Sequence, residues 1–133
     1  MGIEFVVSAI IPASPHEVYT AWLSSKEHGA MTGSPAKVSA LIGEGFEAWD
    51  GYIHGKNLEL VTDKRIVQAW RTSEFSADEP DSKIDISLEA VGNKTKLTLI
   101  HTGLPPHGGQ YEKGWVDSYF TPMTEYFLGK KAG

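Results

Sequence analysis

Residues 37–102 restrict the possible folds of this chain more than any other part of its sequence. They form a series of short apolar segments separated by turn-forming pairs such as Asp50-Gly51 and Gly92-Asn93. Apolar and polar residues alternate most regularly over residues 84–90 (IDISLEA), as expected for a strand with one buried and one solvent-exposed face. Strands connected this closely in sequence predict an antiparallel meander.

The remaining elements follow from local signals at either side of this region. Residues 3–11 are β-branched and aromatic and end at Pro12, which indicates a strand. Ser14, Pro15 and Glu17 then provide an N-cap, a first-turn proline and a capping box for a helix that runs to about residue 23. A second short helix is expected around residues 26–30. In all, the pattern predicts seven strands, over residues 3–11, 38–41, 45–50, 52–61, 65–72, 83–91 and 96–102.

A long C-terminal helix is predicted from about Gly109 to Leu128. Aromatic residues recur along it at helical spacing, and its stripe is expected to include Tyr111, Trp115, Tyr119 or Ser118, Pro122 and Tyr126. Pro122 is expected to kink this helix without ending it. The stripe must be buried, and the concave face of a curved sheet is the surface available. The sequence therefore predicts one α+β domain over residues 1–133, with a seven-stranded antiparallel sheet wrapped around the helix.

Aromatic residues are the most unusual part of the composition, at 11% with four tryptophans. They either form an ordinary aromatic core or line an apolar pocket between the sheet and the helix. His101 shares the apolar face of its strand with Leu97 and Leu99, so it and the Tyr119 hydroxyl are candidate polar anchors. The candidate ligand-binding residues are Phe46, Trp49, Tyr52, Trp70, His101, Trp115 and Tyr119.

Several classes of function are excluded or disfavoured by composition. The net charge of −5, without a basic cluster, argues against binding nucleic acid or a membrane surface. The chain has no cysteine, and its five histidines lack metal-ligand spacing, so neither a metal nor a cofactor is predicted. No nucleophile motif is present, which leaves His101 as a lone candidate acid or base and argues against catalysis.

Targeting and assembly are less constrained by the sequence. The first twenty-five residues contain no Lys or Arg, and their apolar run is short, so no signal peptide or membrane span is expected. We therefore expect a cytoplasmic protein. Sheet edges of this kind allow either a monomer or a homodimer.

An ordered series of motifs resembles one known family along nearly the whole chain. The opening of the first helix resembles that of START-like, birch-pollen-allergen-type domains, and the later motifs are similar to the activator of heat-shock protein 90 ATPase homologue family. The motifs that carry the resemblance are residues 12–22 (PASPHEVYTAW), 32–39 (TGSPAKVS), 43–46 (GEGF), 49–71 (WDGYIHGKNLELVTDKRIVQAWR), 95–99 (TKLTL) and 114–120 (GWVDSYF).

This resemblance implies a helix-grip fold, in which a seven-stranded antiparallel sheet grips a long C-terminal helix. The similarity is to the C-terminal domain of the eukaryotic co-chaperone, and the wider superfamily binds lipids, hormones and polyketides and includes enzymes. Three functions are therefore expected: binding of a small apolar ligand, interaction with a chaperone ATPase, or pocket catalysis through His101. The first is favoured by the placement of aromatic residues on facing elements.

Overall fold

A computed structural model describes the backbone of residues 3–132 and the side chains of residues 3–130. Strands and helices follow the predicted order, with two short helices after the first strand and a helical region after the last. The strands are β1 (Ile3–Ile11), β2 (Gly45–Ala48), β3 (Ile53–Val61), β4 (Arg65–Thr72), β5 (Ser82–Val91) and β6 (Lys94–Leu104). The helices are α1 (Pro15–Trp22), α2 (Ser25–Thr32), α3 (Gln110–Trp115) and α4 (Thr121–Ala132), with a π-helical segment (Val116–Phe120) between the last two.

The strands form one antiparallel sheet in the order β1-β6-β5-β4-β3-β2. The described residues contain six strands where the sequence predicts seven, because residues 38–41 are not a strand. Only Lys37 makes a bridge there, to Glu47. The Asn57 side chain instead donates hydrogen bonds to the carbonyl oxygens of Ser39 (2.8 Å) and Leu41 (3.0 Å). A buried side-chain amide thus satisfies backbone groups that a strand partner would otherwise bind.

The capping box predicted at the start of α1 is present. Glu17 N donates to Ser14 Oγ at 3.2 Å, and Ser14 N donates to Glu17 Oε1 at 2.9 Å. The cap fixes where β1 ends and α1 begins, and so places Trp22 in the core next to the C-terminal helical region.

The buried face of the C-terminal helical region differs in register from the predicted stripe. The stripe continues from Tyr119 to Met123 and Phe127, whereas Pro122 and Tyr126 are only half-buried. Buried residues therefore recur every four positions, more slowly than the 3.6 residues of an α-helical turn. The π-helical segment takes more residues per turn and keeps the stripe facing the sheet. Helical structure continues through Pro122, as predicted.

Candidate functional site

A cavity of about 270 Å³ lies between the sheet and the C-terminal helical region. The turn between β2 and β3, the strands β3 and β4, helix α3 and the π-helical segment each contribute to its wall. It is lined by Trp49, Tyr52, Ile53, Trp70, Tyr111, Gly114, Trp115, Ser118 and Tyr119. The wall is thus mainly aromatic, which is typical of sites for small apolar molecules.

Five of the seven candidate residues line this cavity, namely Trp49, Tyr52, Trp70, Trp115 and Tyr119. Phe46 lies outside the lining, in β2 directly opposite Gly55, and its ring packs over that glycine. His101 also lies outside it and is fully buried behind Trp70 and Trp115.

Four lining residues are absent from the candidate set: Ile53, Tyr111, Gly114 and Ser118. The last three could have been identified from Trp115, because residues three or four positions away share a helix face, and an adjacent residue borders it. Ile53 gives no such signal, because its apolar side chain suits any buried strand position.

Contacts between rings make the inner wall a continuous aromatic cluster. Trp115 lies 5.5 Å from Trp70 and 5.0 Å from Tyr119 between ring centroids, and Trp70 lies 5.0 Å from Tyr111. Trp22 stacks behind Trp115 at 6.2 Å. Offset and edge-to-face pairs of this kind stabilise large buried rings beyond simple burial, so the wall is expected to be well ordered.

His101 holds part of this wall in place through a buried chain of hydrogen bonds. Trp115 Nε1 donates to His101 Nδ1 at 3.0 Å, and His101 Nε2 lies 2.9 Å from Ser82 Oγ. Ser82 Oγ donates to the Trp70 carbonyl oxygen at 2.6 Å. Because Nδ1 accepts, the proton of the neutral ring lies on Nε2 and points to Ser82.

The protonation of His101 follows from its burial. Desolvation lowers the pKa of His101 from 6.5 to about 3, so the ring is neutral near pH 7. Both ring nitrogens are already occupied by Trp115 and Ser82. An imidazole in this state positions the Trp70 and Trp115 rings and is poorly suited to acid–base chemistry at neutral pH.

Tyr119 is anchored by His28 of α2, a residue that is not among the candidates predicted from the sequence. His28 Nδ1 donates to the Trp22 carbonyl oxygen at 2.8 Å, so Nε2 accepts from the Tyr119 hydroxyl at 2.8 Å. Burial lowers the pKa of His28 and raises the pKa of Tyr119, which keeps both groups neutral. The Tyr119 hydroxyl is therefore engaged inside the protein.

The other two tyrosines of the lining are engaged in the same way. The Tyr111 hydroxyl lies 2.6 Å from Thr72 Oγ1, and the Tyr52 hydroxyl donates to the Glu74 carboxylate. Burial, together with the bond to Glu74, raises the pKa of Tyr52. The phenol oxygens of the wall thus act mainly to hold the rings in position.

The Trp49 indole differs from the three phenols of the wall. Its Nε1 is buried without a hydrogen-bond partner, which typically costs about 1–3 kcal/mol. Its backbone φ is 53°, followed by 55° at Asp50 and 89° at Gly51. The left-handed region is unfavourable for tryptophan, by about 1–3 kcal/mol, so this turn at the edge of the cavity carries two unfavourable features.

Charges and metal ligands are absent from the cavity wall. No acidic, basic or imidazole side chain is among the nine lining residues. Among the residues whose side chains are described, no group of three or more His, Asp or Glu side chains could hold a metal ion. No helix in residues 3–132 is both long enough and apolar enough to cross a membrane. The arrangement is suited to holding an uncharged apolar molecule.

An open antiparallel sheet that grips a C-terminal helical region, with two short helices after the first strand, defines a START-like domain. A family model described as "Activator of Hsp90 ATPase homolog 1-like protein" matches residues 12–127. The chain belongs to this family.

Relatives in this family include the human "Activator of 90 kDa heat shock protein ATPase homolog 1". It is 28% identical over 115 residues, which are 86% of this chain and 34% of the human protein. The chain therefore spans about a third of the length of this human relative and of its mouse counterpart. It is related to heat-shock protein 90 ATPase activators, as the sequence motifs predicted.

Solved structures confirm the fold. An HSP90 activator from Plasmodium falciparum, PFC0360w, has a TM-score of 0.85 at 24% identity, covering 96% of this chain and 97% of that one. The Aha1 dimer from Colwellia psychrerythraea has a TM-score of 0.69 at 16% identity, covering 84% of each chain. The helix-grip prediction is confirmed by these comparisons, apart from the strand count given above.

Proposed function

We propose that this domain binds a small apolar molecule in the cavity between the sheet and the C-terminal helical region. The observation that carries the proposal is a cavity of about 270 Å³ whose lining contains six aromatic rings and no charged side chain. An apolar protein cavity of about 150 Å³ already accommodates benzene, so this one has room for a somewhat larger ring system. Burial of apolar surface would provide the binding free energy.

Filling the cavity from Gly114 is expected to weaken ligand binding strongly without unfolding the domain. A Cβ added at Gly114 meets no atom within 4 Å, and Gly114 lies within α3, where glycine is a poor helix former. Gly114→Leu should therefore fold at least as stably as the wild type and lose affinity for an apolar probe such as naphthalene by more than about tenfold, the equivalent of about 1.4 kcal/mol. Fluorescence titration measures the affinity, and thermal unfolding measures the stability.

Gly129→Leu is the matched control, because Gly129 is an exposed helical glycine with nothing within 4 Å of an added Cβ and no place in the lining. It should bind the probe as the wild type does. Native mass spectrometry of gently purified protein would further show whether a molecule of the cell accompanies the wild type and is missing from Gly114→Leu. Equal probe binding by all three proteins would reject the cavity as the site.

Regulation of a heat-shock protein 90 type ATPase is a second candidate function, and the family match over residues 12–127 favours it. In this case the domain would contact the chaperone through its surface, with the aromatic rings serving as core. Adding the purified domain to heat-shock protein 90 should then raise the rate of ATP hydrolysis. The Gly114→Leu variant should stimulate equally, because a side chain inside the cavity leaves the surface intact. If the domain neither stimulates ATP hydrolysis nor co-elutes with the chaperone, this role is excluded.

A further inference from the structure

The polar groups of the cavity restrict the chemistry of the molecule that it would hold. The hydroxyls of Tyr52, Tyr111 and Tyr119 are engaged by Glu74, Thr72 and His28. Glu74, the carboxylate that accepts from Tyr52, is not itself part of the lining, and the lining contains no basic side chain. A carboxylate or phosphate in the cavity would therefore find no cation to pair with, and burial of an unpaired charge is strongly unfavourable.

A cationic ligand is the alternative that the aromatic wall raises, since ring faces attract ammonium groups. The indole of Trp49 argues against a cationic ligand. Its Nε1–H is a buried donor with no acceptor in the protein, and a quaternary ammonium group has no acceptor to offer. A carbonyl or ether oxygen on an uncharged molecule is such an acceptor.

The backbone at Trp49 gives this donor a means of reaching a ligand. The turn from Trp49 to Gly51 has positive φ at three consecutive residues, two of which are not glycine. Trp49 is itself a lining residue, and a hydrogen bond to a ligand requires this turn to bring the indole N–H into the cavity. The unsatisfied donor and the unfavourable backbone together favour such a shift once an acceptor is present.

We propose that the cavity selects an uncharged ring molecule with a hydrogen-bond acceptor, and that Trp49 Nε1 donates to this acceptor. The inference rests on the proposed ligand-binding function and adds the class of ligand. It makes Trp49 a specificity-determining residue, because removal of its donor should affect only ligands that have an acceptor.

Four probes of similar size separate the possibilities: tetralin, 1-tetralone, 1,2,3,4-tetrahydro-1-naphthoate and phenyltrimethylammonium. Their affinities are measured for the wild type, Trp49→Phe and Trp22→Phe. Trp22 is the control because its indole already donates to Gln68 and it does not line the cavity. Trp49→Phe should weaken 1-tetralone about fivefold, as expected for a lost hydrogen bond, and tetralin less than twofold. Trp22→Phe should leave the ratio of the two affinities unchanged.

The ions should bind the wild type at least tenfold more weakly than 1-tetralone. In NMR spectra, the Trp49 indole proton should move downfield on adding 1-tetralone and not on adding tetralin, which tests the donor directly even if a variant folds poorly. Equal weakening of tetralone and tetralin by Trp49→Phe, with no indole shift, overturns the donor role while cavity binding stands. Tighter binding of either ion than of the ketone overturns the choice of an uncharged ligand. Failure of all four probes rejects the cavity as a site for rings of this size, and the inference with it.

Discussion

Replacing Gly55 with alanine is expected to prevent the domain from folding stably. Gly55 lies in β3, and a Cβ at this position would be 1.8 Å from the carbonyl oxygen and 2.7 Å from the carbonyl carbon of Ala69 in β4. These atoms are backbone, so they cannot rotate away as a side chain can. The paired strands β3 and β4 would have to separate, with a loss of at least about 3 kcal/mol in the free energy of unfolding. Chemical denaturation of the variant measures this loss.

Gly45→Ala is the matched control for this prediction. Gly45 is also a strand glycine, in β2, but its added Cβ would be 3.5 Å from the Gly55 carbonyl oxygen, which is an ordinary contact. Its unfolding free energy should change by less than about 1 kcal/mol. If Gly55→Ala were as stable as Gly45→Ala, β3 and β4 could not approach each other closely at Gly55.

The order of elements could be predicted from sequence because each depends on signals within a few residues. The capping box at Ser14 and the alternation over β5 are local, and both appear in the structure as predicted. The strand expected over residues 38–41 does not form, and distant side chains bind part of its backbone instead. Asn57 donates to the carbonyl oxygens of Ser39 and Leu41. Ser25 Oγ binds both Val38 N and Val38 O. No local pattern reveals which distant side chain will take the place of a strand partner.

The residues of the C-terminal helical region that face the sheet are harder to predict than the fact that its aromatic rings cluster. A regular 3.6-residue period leaves Tyr119 or Ser118 open as the next stripe position after Trp115. It then predicts Pro122 and Tyr126, each one residue before the buried Met123 and Phe127. The spacing of four from Trp115 to Tyr119, Met123 and Phe127 was available as a signal for the π-helical segment.

Polar partners within the site could not be predicted at all. The alternation of side chains along its strand places His101 on the apolar face. It does not reveal that Trp115 and Ser82 occupy both ring nitrogens. The contact between His28 and Tyr119 joins residues 91 positions apart. The unpartnered Nε1 of Trp49 depends on where every neighbouring group lies, which is a property of the packed structure alone.

Acid is expected to destabilise the domain through His101. The pKa of this ring falls from 6.5 to about 3 on folding, so below pH 6.5 the unfolded chain binds a proton that the folded protein does not. Stability should therefore be retained above pH 6.5 and lost progressively as the pH falls toward 3. Between pH 7 and 4.5, this single group accounts for a loss of about 2.5 kcal/mol. The lowered pKa of His28 acts in the same direction.

Comparison with His101→Gln separates this effect from that of other titrating groups, such as Asp85, whose pKa is lowered by its hydrogen bonds to Arg65. At pH 7, the variant should be less stable than the wild type by about 1–3 kcal/mol, because glutamine cannot match both ring contacts. By pH 4.5, the wild type should have lost about 2.5 kcal/mol more than the variant, so that the difference disappears or reverses. Urea denaturation at both pH values measures this change, and NMR titration of the wild type gives the His101 pKa directly. A ring that titrates near pH 6.5, or a stability difference that does not depend on pH, would mean that His101 is not sealed inside the aromatic wall.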